Sequence, residues 1–192
     1  MRKVILASAS ERRADILKMS GISFDIQASD FEEDLTQKLP PKRLAEELAL
    51  GKALSVAHNH SDAIVIGADT FILSGRKIMG KPGSAERAKE MLRSLSGKKH
   101  TVLTGYAIID TRSGKRKSGV VETSVWFRKL SPREIETYVR NGKPSPRELA
   151  GAYAIQAGGA KFVTRMEGDF YAVVGLPLAR ILAELSAFGI LP

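Results

Sequence analysis

Ser8-Ala9-Ser10-Glu11-Arg12-Arg13 brings two hydroxyls and two guanidiniums into one short stretch, directly after the apolar run from Val4 to Ala7. Where a strand hands over to a helix start, free backbone N–H groups and the positive end of the helix dipole attract an anion. Arginine suits such a place because its planar fork can hold two phosphate oxygens at once. The same pattern also fits a plain helix cap at Ser10 followed by two solvated arginines, and spacing alone leaves both readings open. Asp69 follows the apolar stretch from Ala63 to Ala68, so its carboxylate is expected to be partly desolvated at a strand end. There it could act as metal ligand or general base, or simply close an Asx turn. Glu32, Glu33 and Asp34 add hard oxygen ligands of the kind Mg²⁺ or Mn²⁺ prefers, although an acidic loop is also an ordinary solvated loop. Lys52 lies among small and apolar residues, where a surface lysine with a buried stem is the simpler account, while Lys81 is fixed between Gly80 and Pro82. Either ammonium could reach a phosphate oxygen.

Other motifs fall away on inspection. The run from Gly75 to Lys81 fills most of a Walker A loop, but Pro82 stands where Ser or Thr should hold Mg²⁺ and it removes a needed N–H. His58, His60 and His100 lack a metal-site context. Neither the nucleophile-elbow nor the dinucleotide-binding glycine pattern occurs.

Elements that could position these groups follow from periodicity. Lys3 to Ala7 reads as a buried strand, and a helix capped by Ser10 and stopped near Gly21 follows it. Ser23 to Ala28 reads as a second strand. A second helix, about Lys42 to His58, repeats alanine at positions 45, 49, 53 and 57, which marks a close-packing face. Ala63 to Ala68 reads as a central strand covered on both faces, with a turn at Ser74 to Lys77 and a third helix capped by Ser84. Two long strands, about His100 to Asp110 and Lys117 to Arg128, flank a polar turn. Ser131-Pro132-Arg133-Glu134 is a capping box that opens a helix ending near Gly142. A hairpin through Gly168-Asp169 and a last helix after Pro177 complete the reading. Alternating strands and helices early, with hairpins later, predict an α/β chain with a mixed sheet, whose ligands should gather at the carboxyl ends of its strands.

Composition sets the boundaries. The chain has 192 residues, 43% hydrophobic and 27% charged, enough for a core in one domain or in two small ones that share it. It has no cysteine, which excludes disulfides, thiolate metal sites and a cysteine nucleophile, and favours a reducing, cytoplasmic setting. No apolar stretch approaches the length of a membrane span. The net charge of +9 points to anionic partners, but +7 of it lies between Arg112 and Arg147. That segment lacks aromatic residues interleaved at stacking intervals, so it reads as a solvated face before it reads as a nucleic-acid surface.

Taken together, the stretches resemble the Maf family of nucleoside triphosphate pyrophosphatases along essentially the whole chain. The resemblance rests on Leu6-Ala7-Ser8-Ala9-Ser10-Glu11-Arg12-Arg13, Glu33, Lys52, Gly67-Ala68-Asp69-Thr70, Gly80-Lys81-Pro82 and Leu95-Ser96-Gly97. It continues through Gly151 to Gln156 and from Gly168-Asp169-Phe170-Tyr171 to Val174-Gly175-Leu176-Pro177. It implies a mixed, twisted central sheet flanked by helices, of inosine-triphosphatase-like architecture, as a single domain or two lobes around a central cleft. It also implies cleavage of dTTP or UTP at the α–β link to the monophosphate and pyrophosphate, with Mg²⁺ or Mn²⁺ on Glu33 and Asp69. In that picture Asp69 is the proton acceptor, and Ser8, Ser10, Arg12, Arg13, Lys52 and Lys81 handle the phosphates. Arg12, Thr70 and Gln156 mark the branch that acts on dTTP and UTP, and homodimers are frequent. Two departures stand out: Glu11 replaces the usual proline, and Gln156-Ala157-Gly158-Gly159 replaces the common Gln-Gly-x-Gly. Two readings of other classes remain beside this one, a nucleic-acid-binding protein and a nucleotide-sensing regulator with little turnover.

Overall fold

The computed structural model describes residues 2–190. Its elements run β1 (Lys3–Ala7), α1 (Glu11–Lys18), β2 (Asp25–Gln27), α2 (Pro41–Ala57), β3 (Ala63–Ser74), β4 (Lys77–Met79), α3 (Ala85–Leu95), β5 (Lys99–Asp110) and β6 (Arg116–Phe127). Then follow α4 (Pro132–Asn141), three single 3₁₀ turns, β7 (Val163–Glu167), α5 (Phe170–Val174) and α6 (Leu178–Ser186). The sheet has seven strands in the order β2-β1-β3-β5-β6-β7, with β4 paired to β3. It is mixed, as expected: β1 is parallel to β2 and β3, whereas β4 on β3 and β7 on β6 are antiparallel. Among the described residues no helix is long and apolar enough to cross a membrane.

The chain divides into two compact units. The first holds the described residues up to Asp69, Thr104–Val121 and the described residues from Gly175 onward. Its core joins Ile5 and Ala7 of β1, Ala49, Ala53 and Val56 of α2, Val65 of β3, and Ala107 and Ile109 of β5. Residues 63 to 69 of β3 are all buried, which is why that stretch reads as continuously apolar rather than alternating. The alanine face of α2 lets helix and sheet approach closely. At Gly67 an added Cβ would lie 2.5 Å from the Ala49 carbonyl oxygen and 2.9 Å from the Ala53 Cβ.

The second unit holds Thr70–Leu103 and Glu122–Val174. Its core packs Leu92 and Leu95 of α3, Ile135, Tyr138 and Val139 of α4, and Phe127 and Phe162. The capping box at the start of α4 is present in full, since Ser131 accepts from the Glu134 N–H and the Glu134 carboxylate accepts from the Ser131 N–H. Ser84 likewise accepts from the Arg87 N–H to cap α3.

The structure departs from the sequence reading in several places. β2 is only Asp25–Gln27, because it is an edge strand that pairs with β1 alone. Gly168-Asp169 makes no hairpin: the Asp169 carboxylate accepts from the Ala172 N–H at 3.0 Å and starts α5. His100, set aside as incidental, is buried at 2% exposure, with its Nε2 2.9 Å from the Tyr153 hydroxyl and its Nδ1 without a partner.

Burial lowers the pKa of His100 from 6.5 to about 4. The unfolded chain therefore takes up this proton below its ordinary value while the folded chain does so only near 4, so stability is lost as pH falls through that window. The full loss is about 3 kcal/mol. In urea titrations the stability lead of the wild type over His100→Gln should shrink between pH 6.5 and 4.5; a constant lead would show that His100 is not buried in neutral form.

Candidate functional site

In the first unit β1 is flanked by β2 on one side and β3 on the other, so the chain leaves β1 in one direction and later returns on its far side. The carboxyl end of such a strand is where open α/β sheets leave a crevice for ligands. β1 ends abruptly. The Ser8 N–H donates to the Leu6 carbonyl at 2.9 Å, which turns the chain out of the sheet after Ala7.

Ser8 is buried, and its Oγ accepts from the Ser10 N–H at 3.1 Å and from Arg13 Nη1 at 3.3 Å. With both acceptor positions in use, its own proton is the part left to donate. Arg13 Nε donates to the Gly175 carbonyl at 2.9 Å, which fixes the guanidinium from a second side. Burial lowers the Arg13 pKa while the charges of Asp69 and Glu33 oppose that shift, so the cation sits within electrostatic reach of both carboxylates. Ser10 occupies the N-cap position of α1, but its side chain makes no cap bond there, contrary to the expectation. Arg12 is half-buried, and burial followed by the Arg13 charge lowers its pKa, with the carboxylate of Glu11 acting the other way.

Asp69 was expected at the end of its strand, yet it lies in the middle of β3, which continues to Ser74. The reason lies next door. The parallel partner β1 stops at Ala7, with Leu6 opposite Ile66, so β3 has outrun that neighbour when it reaches Asp69. Asp69 is 3% exposed.

Lys52 is not a snorkelling surface residue: it is 8% exposed, and its Nζ bonds the Asp69 carboxylate and lies 2.5 Å from Glu33 Oε1. Two contacts place it. The close approach of α2 at Gly67 brings the helix down onto β3, and the loop between β2 and α2 is fastened to the same helix. In that loop the Ser29 hydroxyl lies 2.8 Å from the Ser55 hydroxyl, and Ser55 in turn donates to the Lys52 carbonyl at 3.1 Å. The Phe31 ring occupies the space that a side chain at Gly51 would need. Two residues beyond Phe31 the loop delivers Glu33 to Lys52.

One unit thus gathers Ser8, Arg13, Glu33, Lys52 and Asp69, with Arg12 beside them. Thr70, Lys81 and Gln156 belong to the second unit. Thr70 is partly buried, Lys81 and Gln156 are exposed, and their substrate roles rest on the resemblance alone. Within that unit the Gly151 N–H donates to the Gly80 carbonyl at 3.1 Å, joining the strand leading to Lys81 to the segment leading to Gln156. The sequence reading missed Ser29, Phe31, Ser55 and the Gly175 carbonyl. Of these only Phe31 left a trace, in the glycine at position 51 inside a helix, which signals close packing.

The donor set suits a hard cation. Mg²⁺ is commonly held by one or two carboxylates, with substrate phosphate and water completing its shell. Glu33 and Asp69 meet at one ammonium, and among the described residues no group of three or more His, Cys, Asp or Glu forms an all-protein cage.

The family model for "Maf-like protein" matches residues 3–188. A Bacillus cereus (strain B4264) protein named dTTP/UTP pyrophosphatase is 45% identical over 190 residues, covering 99% of this chain and 97% of its own. A protein of the same name from Moorella thermoacetica is 44% identical with the same coverage. Among solved structures, a HAM1 protein from Coxiella burnetii matches with a TM-score of 0.53 at 14% identity, covering 98% of each chain, and it supports the fold class.

Gly67→Ala should push α2 off β3, since the neighbours of the added Cβ are two main-chain atoms and the Ala53 Cβ, none of which can turn aside. We expect a loss of about 1–3 kcal/mol in a urea titration. Turnover should fall further than global stability explains, because Lys52 moves with the helix; unchanged turnover in folded variant protein would contradict this account of how the site is placed.

Proposed function

The chain belongs to the Maf family, and from that membership we propose that it is a nucleoside triphosphate pyrophosphatase acting on dTTP and UTP. The reading is supported by relatives of 44–45% identity that bear this name and that the chain matches over nearly their full length. The observation that carries the chemistry is the buried Lys52 ammonium between the carboxylates of Asp69 and Glu33, beside Ser8 and Arg13 at the carboxyl end of β1.

A triphosphate tail brings up to four negative charges, and the first demand on the site is to match them. Arg13 is held by Ser8 and the Gly175 carbonyl, so it meets phosphate oxygens without reorganising. The Ser8 hydroxyl proton and the N-terminal amides of α1 add neutral donors. Arg12 contributes a second guanidinium. In the reaction a water oxygen bonds to the α-phosphorus while the bond from that phosphorus to the bridging oxygen breaks. Pyrophosphate leaves with the electron pair, and the water's proton passes to Asp69. Lys52 orients the Asp69 carboxylate and compensates its charge in a place that excludes most solvent. Glu33 and Asp69 would hold Mg²⁺ or Mn²⁺, which supplies charge neutralisation on the phosphate oxygens when bound.

The test is incubation with a panel of nucleoside triphosphates and Mg²⁺, scoring pyrophosphate against orthophosphate. Pyrophosphate and monophosphate in equal amounts, fastest with dTTP and UTP, are expected; orthophosphate alone would overturn the reading. Asp69→Asn should lower kcat by a factor of about 10²–10⁴ while triphosphate binding changes little. A variant with normal kcat would remove Asp69 from proton transfer.

A further inference from the structure

In the second unit, the start of β5 and the paired strands β6 and β7 build a surface that contains none of the residues given a role in the nucleotide chemistry. Trp126 of β6 is directly opposite Arg165 of β7, whose guanidinium lies 4.9 Å from the indole centroid. Lys99 of β5 places its Nζ 4.9 Å from the same ring. The Phe127 N–H bonds the Lys98 carbonyl at 3.0 Å, and Arg128 Nε bonds the Lys161 carbonyl at 2.9 Å, so two further lysine-bearing loops border this end of the sheet. Lys129 is the second residue after β6, with its side chain against Gly97. Lys98, Lys99, Lys129, Lys161 and Arg165 are all exposed and Trp126 is half-buried; Lys99 and Arg165 lie on the indole itself, whereas the Lys161 Nζ lies over the Phe162 and Tyr138 rings at 5.5 and 5.8 Å. Glu167 pairs with Arg165, and Glu122, the one acidic residue of β6, lies four residues back along the strand from Trp126.

We propose that this face binds single-stranded nucleic acid. The cations favour a polyanion, and a ring set between two of them, Lys99 and Arg165, favours one with bases to stack. An exposed ammonium or guanidinium over an indole is a weak contact compared with a stacked base, so a nucleobase can take its place and release the cation to a phosphate. Duplexes keep their bases stacked inward and offer the indole nothing, which distinguishes this partner from double-stranded DNA. The sequence obscured the surface because its five exposed cations are spread over β5, β7 and the segments that flank the strands, and of these five only Lys129 falls in the Arg112 to Arg147 stretch.

The chain contains one tryptophan, so its fluorescence reports on Trp126 alone. The full chain should be titrated with oligo(U) and oligo(dT) strands of about 20 nucleotides, long enough to exceed the site. The proposal expects quenching of tryptophan emission, and an affinity that falls steeply with salt and by about tenfold or more in Lys99→Glu/Arg165→Glu. The milder Lys99→Gln/Arg165→Gln pair should show a smaller loss in the same direction, and nucleotide turnover should be unchanged in both. No binding at low salt, binding without quenching, equal affinity for duplex DNA or polyglutamate, or unaltered affinity in the folded double variants would each overturn it.

Discussion

A lysine ammonium shut away from water needs nearby anions, and Lys52 has two. Removing an ion from solvent costs several kcal/mol even after relaxation, and only well-placed counter-charges offset it. Asp69 is as deeply buried as Lys52, whereas Glu33 is on a loop with access to solvent. The pair Lys52–Asp69 therefore constrains the first unit more than any surface ion pair can. It requires α2 to lie hard against β3, which Gly67, Ala49 and Ala53 make sterically feasible. The loop must also return to the helix, as Ser29, Phe31 and Ser55 ensure.

The same arrangement explains why the anion-binding residues converge. β1 stops short of β3, so the Asp69 carboxylate is beside a turn rather than beside another strand. Ser8 and the start of α1 occupy that turn, and Arg13, the third residue of the helix, reaches back to Ser8. Positive groups from α1 and α2 thus meet carboxylates from β3 and a loop at one strand end. Such a mixture is poised rather than neutralised: an incoming polyanion finds two arginines whose charge the acids only partly compensate.

Much of this was legible in the residues. The continuous apolar run before Asp69, the alanine repeat of α2, the capping box of α4 and the Ser84 cap of α3 have local causes, and each appears where its cause acts. Lys52 was not legible from its helix, because small neighbours fit a surface lysine as well as a buried one. The distinction depends on Asp69, seventeen residues away, and on Glu33. The position of Asp69 within β3 escaped for a similar reason, since strand length is set by pairing with β4 and not by the apolar run alone. Asp169 was misread as a turn because Gly-Asp opens a helix as readily as a hairpin, and only its bond to Ala172 and its link to Thr123 decide between them. Motifs spread along the chain carried what local pattern could not, including the family and the reaction class.

A double-mutant stability cycle on Lys52 and Asp69, run by denaturant titration of Lys52→Met, Asp69→Asn and the combined variant, addresses the buried pair itself. Lys52→Met alone should cost about 3–5 kcal/mol because it strands a carboxylate in the interior, and the combined variant should be more stable than the sum of the two losses by about 2 kcal/mol. Strictly additive losses would mean that the two charges do not depend on one another, and the organisation of the site described above would be wrong.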